Sequence, residues 1–162
     1  QDFPRSHQKT LEMNYKKSLY FDSFGPGLVA TLGGNDKYLS ELTTKSIKWI
    51  RDALGIKTPI WLASEFATTG VKADFLASLC EQVSATEYIS PPGSKVYLDE
   101  SDAFVKRGIP ISYFVFKHPE YPQRFGDFSP YMSVADLLFN CGPASSSVIK
   151  ECCDFVSQKC LD

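Results

Sequence analysis

The apolar run IPISYFVF, residues 109–116, constrains the fold more than any other stretch of the chain. β-Branched and aromatic residues predominate in it, and it carries no charged side chain. A run that is apolar on both faces is typical of a strand inside a sheet that helices cover on each side. Two shorter segments, Thr58–Ser64 and Thr86–Ser90, are also rich in β-forming residues. The sequence therefore predicts a sheet built from these three strands.

Helical periodicity fills the segments between and after the predicted strands, at residues 71–83, 101–108, 132–140 and 145–160. Strands that alternate with helices at this spacing indicate βαβ units and a parallel sheet. The first third of the chain is also predicted as helical, with Gly25-Pro26-Gly27 interrupting one of its helices. We therefore predict one α/β domain over residues 1–162. It is a small, three-layer, Rossmann-like and mostly parallel sheet flanked by helices, with a helical N-terminal third.

The net charge and the cysteine content limit the classes of function that this chain can have. The formal net charge is −2, and basic residues occur only in short clusters, which argues against general binding to nucleic acid or to an anionic membrane. No apolar run approaches the roughly 20 residues of a membrane-spanning helix. We expect a cytoplasmic protein with a small-molecule substrate, no cofactor and no metal, and the oligomeric state stays open. Reduced thiols are expected because the adjacent Cys152 and Cys153, in a helical setting, do not resemble a disulfide framework. A zinc site is not expected because no C-x-x-C pair occurs among these two, Cys80, Cys141 and Cys160.

The candidate site follows from the predicted sheet, because open parallel sheets bind ligands beyond the carboxyl ends of their strands. All three predicted exits combine hydroxyl groups with a basic residue, which suits an anionic or polyhydroxylated small molecule. Asp136 and Asn140 are added because residues four apart share one face of a helix. The other predicted substrate-binding residues are Ser64, Lys72, Ser90, Gly93, Ser94, Lys95, Tyr97, Asp99, Tyr121 and Gln123.

Glu65 and His118 are the predicted catalytic residues, because each can act as a base at a strand exit. Simpler explanations stay open for both exits. A lone loop histidine is more often a surface residue, and the segment ATTGVK after Glu65 is more often only a helix start capped by Thr68 or Thr69. No phosphate-binding G-x-x-x-x-G-K-[ST], dinucleotide-binding G-x-G-x-x-G or hydrolase G-x-S-x-G motif occurs.

Three blocks of sequence carry a resemblance to a known family: SEF with the following GVK, YISPPGSKVYLDE, and YPQRFGDFSPYMSVADLLFNCG. With HQKTLEMNYKKSLYF near the start, they make the chain similar to the WbqC-like family of bacterial proteins over nearly its whole length. Members usually begin with a His-Gln-Pro segment and an Asp-Asp-rich motif, and neither occurs here. The chain therefore resembles the larger, C-terminal part of a member and is expected to lack the N-terminal segment.

The resemblance implies both a genomic context and an activity. Members are commonly found in gene clusters for O-antigen and other surface polysaccharides. They are often labelled glycine or aminoacyl transferases that act on sugar amines. The implied function is transfer of an acyl or aminoacyl group to a sugar or nucleotide-linked sugar. The alternative is a non-catalytic sugar- or nucleotide-binding module, because no standard pairing of a nucleophile with a base is present.

Overall fold

A computed structural model describes residues 3–157, without the side chains of Phe3 and Ser157. The helices are α1 (Phe3–Tyr15), α2 (Phe21–Leu32), α3 (Leu39–Ala53), α4 (Ala73–Gln82), α5 (Lys95–Asp99), α6 (Ala103–Lys106), α7 (Val134–Cys141) and α8 (Ser145–Glu151). The strands are β1 (Tyr88–Ser90), β2 (Ile111–Phe116) and β3 (Cys153–Ser157). These elements form two compact units. The helical unit comprises residues 3–59 and 118–151, and the sheet unit comprises residues 60–117 and 152–157.

The core of the helical unit forms around Phe139 of α7. Its ring is fully buried, with its centroid 5.1 Å from that of Tyr15 and 5.2 Å from that of Phe21. The Phe139 carbonyl also accepts a hydrogen bond of 3.0 Å from the backbone N–H of Tyr20. These contacts fix α1 and the start of α2 against α7. Leu11, Phe24, Leu28, Leu32, Trp49 and Ala135 complete the cluster.

The sequence Gly25-Pro26-Gly27 does not interrupt α2, contrary to the prediction. Pro26 lies in the second turn of the helix, where the missing N–H removes a single backbone bond. The two glycines serve close packing. A Cβ atom on Gly25 would lie 2.7 Å from the Phe21 ring, and one on Gly27 would lie 2.6 Å from Nε1 of Trp49.

The sheet unit is built on β2, which is the central strand of three. It pairs in parallel with β1, with Tyr88 opposite Ile111, and antiparallel with β3, with Phe116 opposite Cys153. The Tyr88 ring stacks on that of Phe104 at a centroid distance of 4.9 Å. The buried core of this unit contains Ala73, Ala77, Cys80, Leu98, Ala103, Phe104, Ile109, Ile111 and Tyr113.

The predicted α/β class is confirmed, and the predicted strand 109–116 is present as β2. The predicted strand Thr58–Ser64 is wrong: this segment is irregular apart from a 3₁₀ turn at Ala63–Glu65, and Trp61 in it is 56% exposed. Pro59 removes a backbone donor, and an apolar run becomes a strand only where a neighbouring strand pairs with it. Ser64, Glu65 and Lys72 therefore do not follow a strand.

The predicted helix 145–160 is also wrong in its second half. Helix α8 ends at Glu151, and β3 pairs antiparallel with β2, so that the sheet is mixed and not mostly parallel. The end of this predicted helix, including Cys160, lies outside the described residues. The Rossmann-like three-layer arrangement, the helical N-terminal third and the single domain stay predictions.

Neighbouring residues of α6 offer a matched test of the sheet-unit core. Phe104 is 1% exposed and Val105 is 79% exposed. We expect Phe104→Ala to lower the free energy of unfolding by about 3–5 kcal/mol, because it leaves a cavity beneath Tyr88. Val105→Ala should change it by less than about 0.5 kcal/mol. Urea unfolding followed by circular dichroism measures both, and equal losses would contradict the assigned core.

Candidate functional site

A loop closed by its own hydrogen bonds precedes α7 in the helical unit. The Gln123 side-chain amide binds the backbone of Ser129 twice: Oε1 accepts from the Ser129 N–H at 2.8 Å, and Nε2 donates to the Ser129 carbonyl at 2.9 Å. Gly126 supplies the positive φ of 59° that the turn between them requires. Residues 123–129 therefore form a defined loop, which we call the Gln123 loop.

His118 and Tyr131 fix the segments that flank this loop. Nε2 of His118 accepts a hydrogen bond of 2.8 Å from the backbone N–H of Tyr131, and Nδ1 lies 3.0 Å from the Pro119 carbonyl oxygen. The tautomer that accepts at Nε2 carries its proton on Nδ1, from which it can donate to the Pro119 carbonyl. The ring also packs against Phe128 and Tyr131. Because the Nε2 lone pair is used by Tyr131, His118 holds the loop in this geometry, and its catalytic role stays a prediction.

The Asp136 carboxylate is the centre of the polar network. It is only 5% exposed and lies in the first turn of α7, where the helix dipole favours a negative charge. Oδ2 accepts from the Tyr121 hydroxyl at 2.8 Å and from Nε2 of Gln123 at 3.1 Å, and Oδ1 accepts from Nδ2 of Asn140 at 3.2 Å. The phenol of Tyr15 in α1 lies close enough for the charge of this carboxylate to act on it. The structure thus brings together four predicted site residues: Tyr121, Gln123, Asp136 and Asn140.

The network changes the ionisation of its neighbours. Burial, followed by the charge of Asp136, raises the pKa of Tyr15 to about 12. Burial also raises the pKa of Tyr121 to about 12, where the hydrogen bond from Gln123 acts in the opposite sense to that of Asp136. The pKa of the Cys141 thiol is raised by burial and by the Asp136 charge. Both phenols are therefore neutral donors at physiological pH, and Cys141 is not an activated nucleophile.

A cavity of about 440 Å³ opens beside this network. Sequence reasoning missed most of its wall, since only Gln123 and Asp136 had been predicted as site residues. One signal was available in α1, where Thr10 and Asn14 are four apart and share a helix face. Arg124, Phe125 and Met132 carry no comparable signal. The full lining is Thr10, Asn14, Tyr15, Gln123, Arg124, Phe125, Ser129, Met132 and Asp136.

The remaining predicted site residues lie in the sheet unit. Ser90 and Ser94 are buried and hydrogen bonded to each other, and Ser94 donates to the Pro91 carbonyl at 2.6 Å. Both hydroxyls thus stabilise the turn that contains Gly93. Lys95 forms an ion pair of 3.6 Å with Asp99 across one turn of α5.

Glu65 and its neighbours have a different setting. The Glu65 carboxylate accepts a hydrogen bond of 3.2 Å from the backbone N–H of Leu62 and so caps the short turn that contains Ser64. Lys72 and Tyr97 line a shallow pocket of about 370 Å³ with Phe75 and Leu76. The roles predicted for these residues stay predictions.

Two further features concern the described part of the chain. No helix within residues 3–157 is both long and apolar enough to cross a membrane. Among these same residues, no group of three His, Cys, Asp or Glu side chains is placed so that it could hold a metal ion.

Comparison with known proteins adds a family match. The model of the WbqC-like protein family matches residues 1–148. The uncharacterized protein Rv1507c of Mycobacterium tuberculosis (strain ATCC 25618 / H37Rv) is 31% identical over 153 residues, which are 93% of this chain and 66% of that protein. The chain thus spans just under two thirds of the length of this curated relative. No solved structure matches the chain significantly.

Replacing Asp136 tests how much its carboxylate contributes to the stability of the fold. We expect Asp136→Asn to lower the free energy of unfolding by about 2–3 kcal/mol, because an NH₂ group would then face buried donors. The exposed Asp127 lies on the Gln123 loop. Asp127→Asn, the matched loss of one charge, should change stability by less than about 0.5 kcal/mol. Chemical denaturation of both variants measures the difference, and an unchanged Asp136→Asn protein would contradict the network.

The raised tyrosine pKa values predict an alkaline transition. The pKa of Tyr121 rises from 10.0 to about 12 on folding, so its contribution to stability is complete below pH 10 and is lost as the pH rises towards 12. Phenolate absorbance should show a late-titrating group in the wild type that is missing in Tyr121→Phe. The exposed Tyr38 provides the control, Tyr38→Phe. A Tyr121 difference titration centred near pH 10 would contradict the buried network.

Proposed function

The chain belongs to the WbqC-like protein family, and on that premise we propose that it is a cytoplasmic transferase that acylates the amine of a sugar or nucleotide-linked sugar in surface-polysaccharide synthesis. One observation carries the proposal: the cavity of about 440 Å³ beside the buried Asp136 carboxylate. Small-molecule sites measure about 300–1,000 Å³. The wall of this one combines aromatic rings, hydroxyl and amide groups and one carboxylate. That mixture suits an amino sugar, which carries several hydroxyl groups and one amine.

Tyr15 connects the cavity to the carboxylate. Its phenol lines the cavity together with Asp136 and is acted on by the carboxylate charge, and the phenol oxygen can accept a hydrogen bond from a ligand N–H. With its pKa raised to about 12, Tyr15 keeps its proton at neutral pH. An amine bound at this oxygen is therefore coupled to the negative charge of Asp136 through a neutral phenol, and the existing bonds of the carboxylate are retained.

The same pair can support acyl transfer. When the sugar amine attacks the carbonyl of an acyl ester or thioester, the new C–N bond leaves a positive charge on nitrogen, and a proton must depart. The tetrahedral intermediate then collapses, and the bond to the donor breaks, so that the donor's alcohol or thiol leaves with the electron pair and takes up a proton. Tyr15 can accept the proton that the amine loses while it passes its own to Asp136. The developing oxyanion requires hydrogen-bond donors, and the side chains of Asn14 and Ser129 line the same cavity.

A second function, that of a non-catalytic sugar-binding module, is favoured by the positions of the two predicted bases, His118 and Glu65. The Nε2 lone pair of His118 accepts from the Tyr131 backbone. Glu65 lies in the sheet unit, where it accepts from Leu62. Neither residue lines the cavity of the helical unit. If Tyr15 and Asp136 only orient the ligand, the chain binds an amino sugar without turning it over.

Tyr15→Phe separates orientation from proton transfer. The wild type should bind glucosamine in isothermal titration calorimetry and form acylated sugar when an aminoacyl or acyl-thioester donor is added. Tyr15→Phe should weaken binding by about tenfold, because one hydrogen bond is lost, and should abolish product formation. Tyr38→Phe, an exposed tyrosine outside the cavity, should do neither.

The outcomes discriminate between the two functions. Binding of glucosamine without product for any donor, measured by mass spectrometry, favours the binding module. Failure of the wild type to bind any amino sugar contradicts both. Full turnover by Tyr15→Phe contradicts the proposed proton transfer.

A further inference from the structure

We propose that Arg124 recognises a phosphate group on the ligand, so that the cavity takes a phosphorylated amino sugar in preference to a neutral one. The inference rests on the proposed function, because it assumes that an amino sugar occupies the cavity. It adds to the proposed function a residue that determines specificity, Arg124. It also adds a phosphate to the ligand, as a second charged group beside the amine. The phosphate can belong to a sugar phosphate or to the diphosphate of a nucleotide sugar.

Arg124 lies in the cavity wall and is held from two sides. Nη1 of its guanidinium donates to the Lys17 carbonyl at 2.6 Å, and the group lies 5.1 Å from the centre of the Phe125 ring. The bond to Lys17 uses one of the five N–H donors of a guanidinium. Arginine presents its donors as a rigid fork that matches phosphate oxygens. A fork held in this way loses little conformational entropy when an anion binds.

The Gln123 loop gives Arg124 a fixed backbone. Arg124 follows Gln123 directly, and the two hydrogen bonds between Gln123 and Ser129 close the loop around it. Gln123 also donates to Asp136 at 3.1 Å. The Gln123 side chain therefore connects the base of the loop to the Asp136 carboxylate. It sets the separation between the Arg124 guanidinium and this carboxylate in the cavity wall.

The local charge supports an anion at this position. The carbonyl that anchors Arg124 belongs to Lys17, and Lys16 precedes it; both lysines are exposed. The chain as a whole has a net charge of −2, so the proximity of Arg124 to a segment with two successive lysines is a local feature. An amine near Tyr15 and Asp136 and a phosphate near Arg124 give a ligand with both charges complemented.

The experiment compares three ligands on the full chain by isothermal titration calorimetry: glucosamine, glucosamine 6-phosphate and UDP-glucosamine. We expect one or both phosphorylated ligands to bind about 10- to 100-fold more tightly than glucosamine, with the tighter of the two identifying the source of the phosphate. Arg124→Gln should remove that preference, so that the ratio of the affinities for phosphorylated and neutral ligands falls to about one. Arg124→Lys should keep part of the preference, because the charge stays and the fork is lost.

The control is Arg51→Gln, which removes a cation of the helical unit that does not line the cavity. It should leave all three affinities unchanged, and circular dichroism should show that every variant is folded. Equal binding of neutral and phosphorylated ligands overturns the inference and leaves the proposed function standing. A phosphate preference that persists in Arg124→Gln overturns the role of Arg124. No binding of any of the three ligands overturns the proposed function itself, and the inference with it.

Discussion

Burying the Asp136 carboxylate requires hydrogen-bond donors on both of its oxygens, because a charge taken out of water costs several kcal/mol. The donors come from two segments of the helical unit: Tyr121 and Gln123 before α7, and Asn140 one turn further along α7. The charge is therefore accommodated only when both segments are in place. Phe139, three residues after Asp136, packs on Tyr15 and Phe21 and holds α1 and the start of α2 against α7 through apolar contacts. Site geometry and core packing thus depend on one helix.

The part of the site that is local in sequence could be predicted, and the rest could not. Tyr121, Gln123, Asp136 and Asn140 fall within twenty residues of each other, and helical spacing alone relates Asp136 to Asn140. Tyr15 is separated from Asp136 by more than a hundred residues, and only the packing of α1 beside α7 brings them together. Nothing in the sequence around Arg124 distinguishes this arginine from the other basic residues of the chain.

The sheet is a second example of how far the sequence alone can predict the fold. Residues 109–116 were recognisable as a strand because a run without charged residues suits a central position, and β2 does have a partner on each side. Residues 58–64 have a similar composition but no partner, since strand pairing is a property of the fold and not of the segment. The segment Cys153–Ser157 lies in a run with helical periodicity, yet its pairing with β2 prevails. The rule that ligands lie beyond strand ends therefore selected Ser64 and Glu65 from a strand that does not form.

Recognition of an anion by this chain must be local in origin. A formal net charge of −2 gives no general attraction for phosphate. A single exposed arginine is ordinarily a weak and salt-sensitive ligand, because ordering its long side chain costs entropy. That cost is reduced for Arg124 by the Lys17 carbonyl, the Phe125 ring and the closed Gln123 loop. The rigidity of the loop in turn depends on Gln123, whose amide is shared with Asp136. The buried carboxylate therefore binds Tyr121 directly and is linked through Gln123 to the position of the cation.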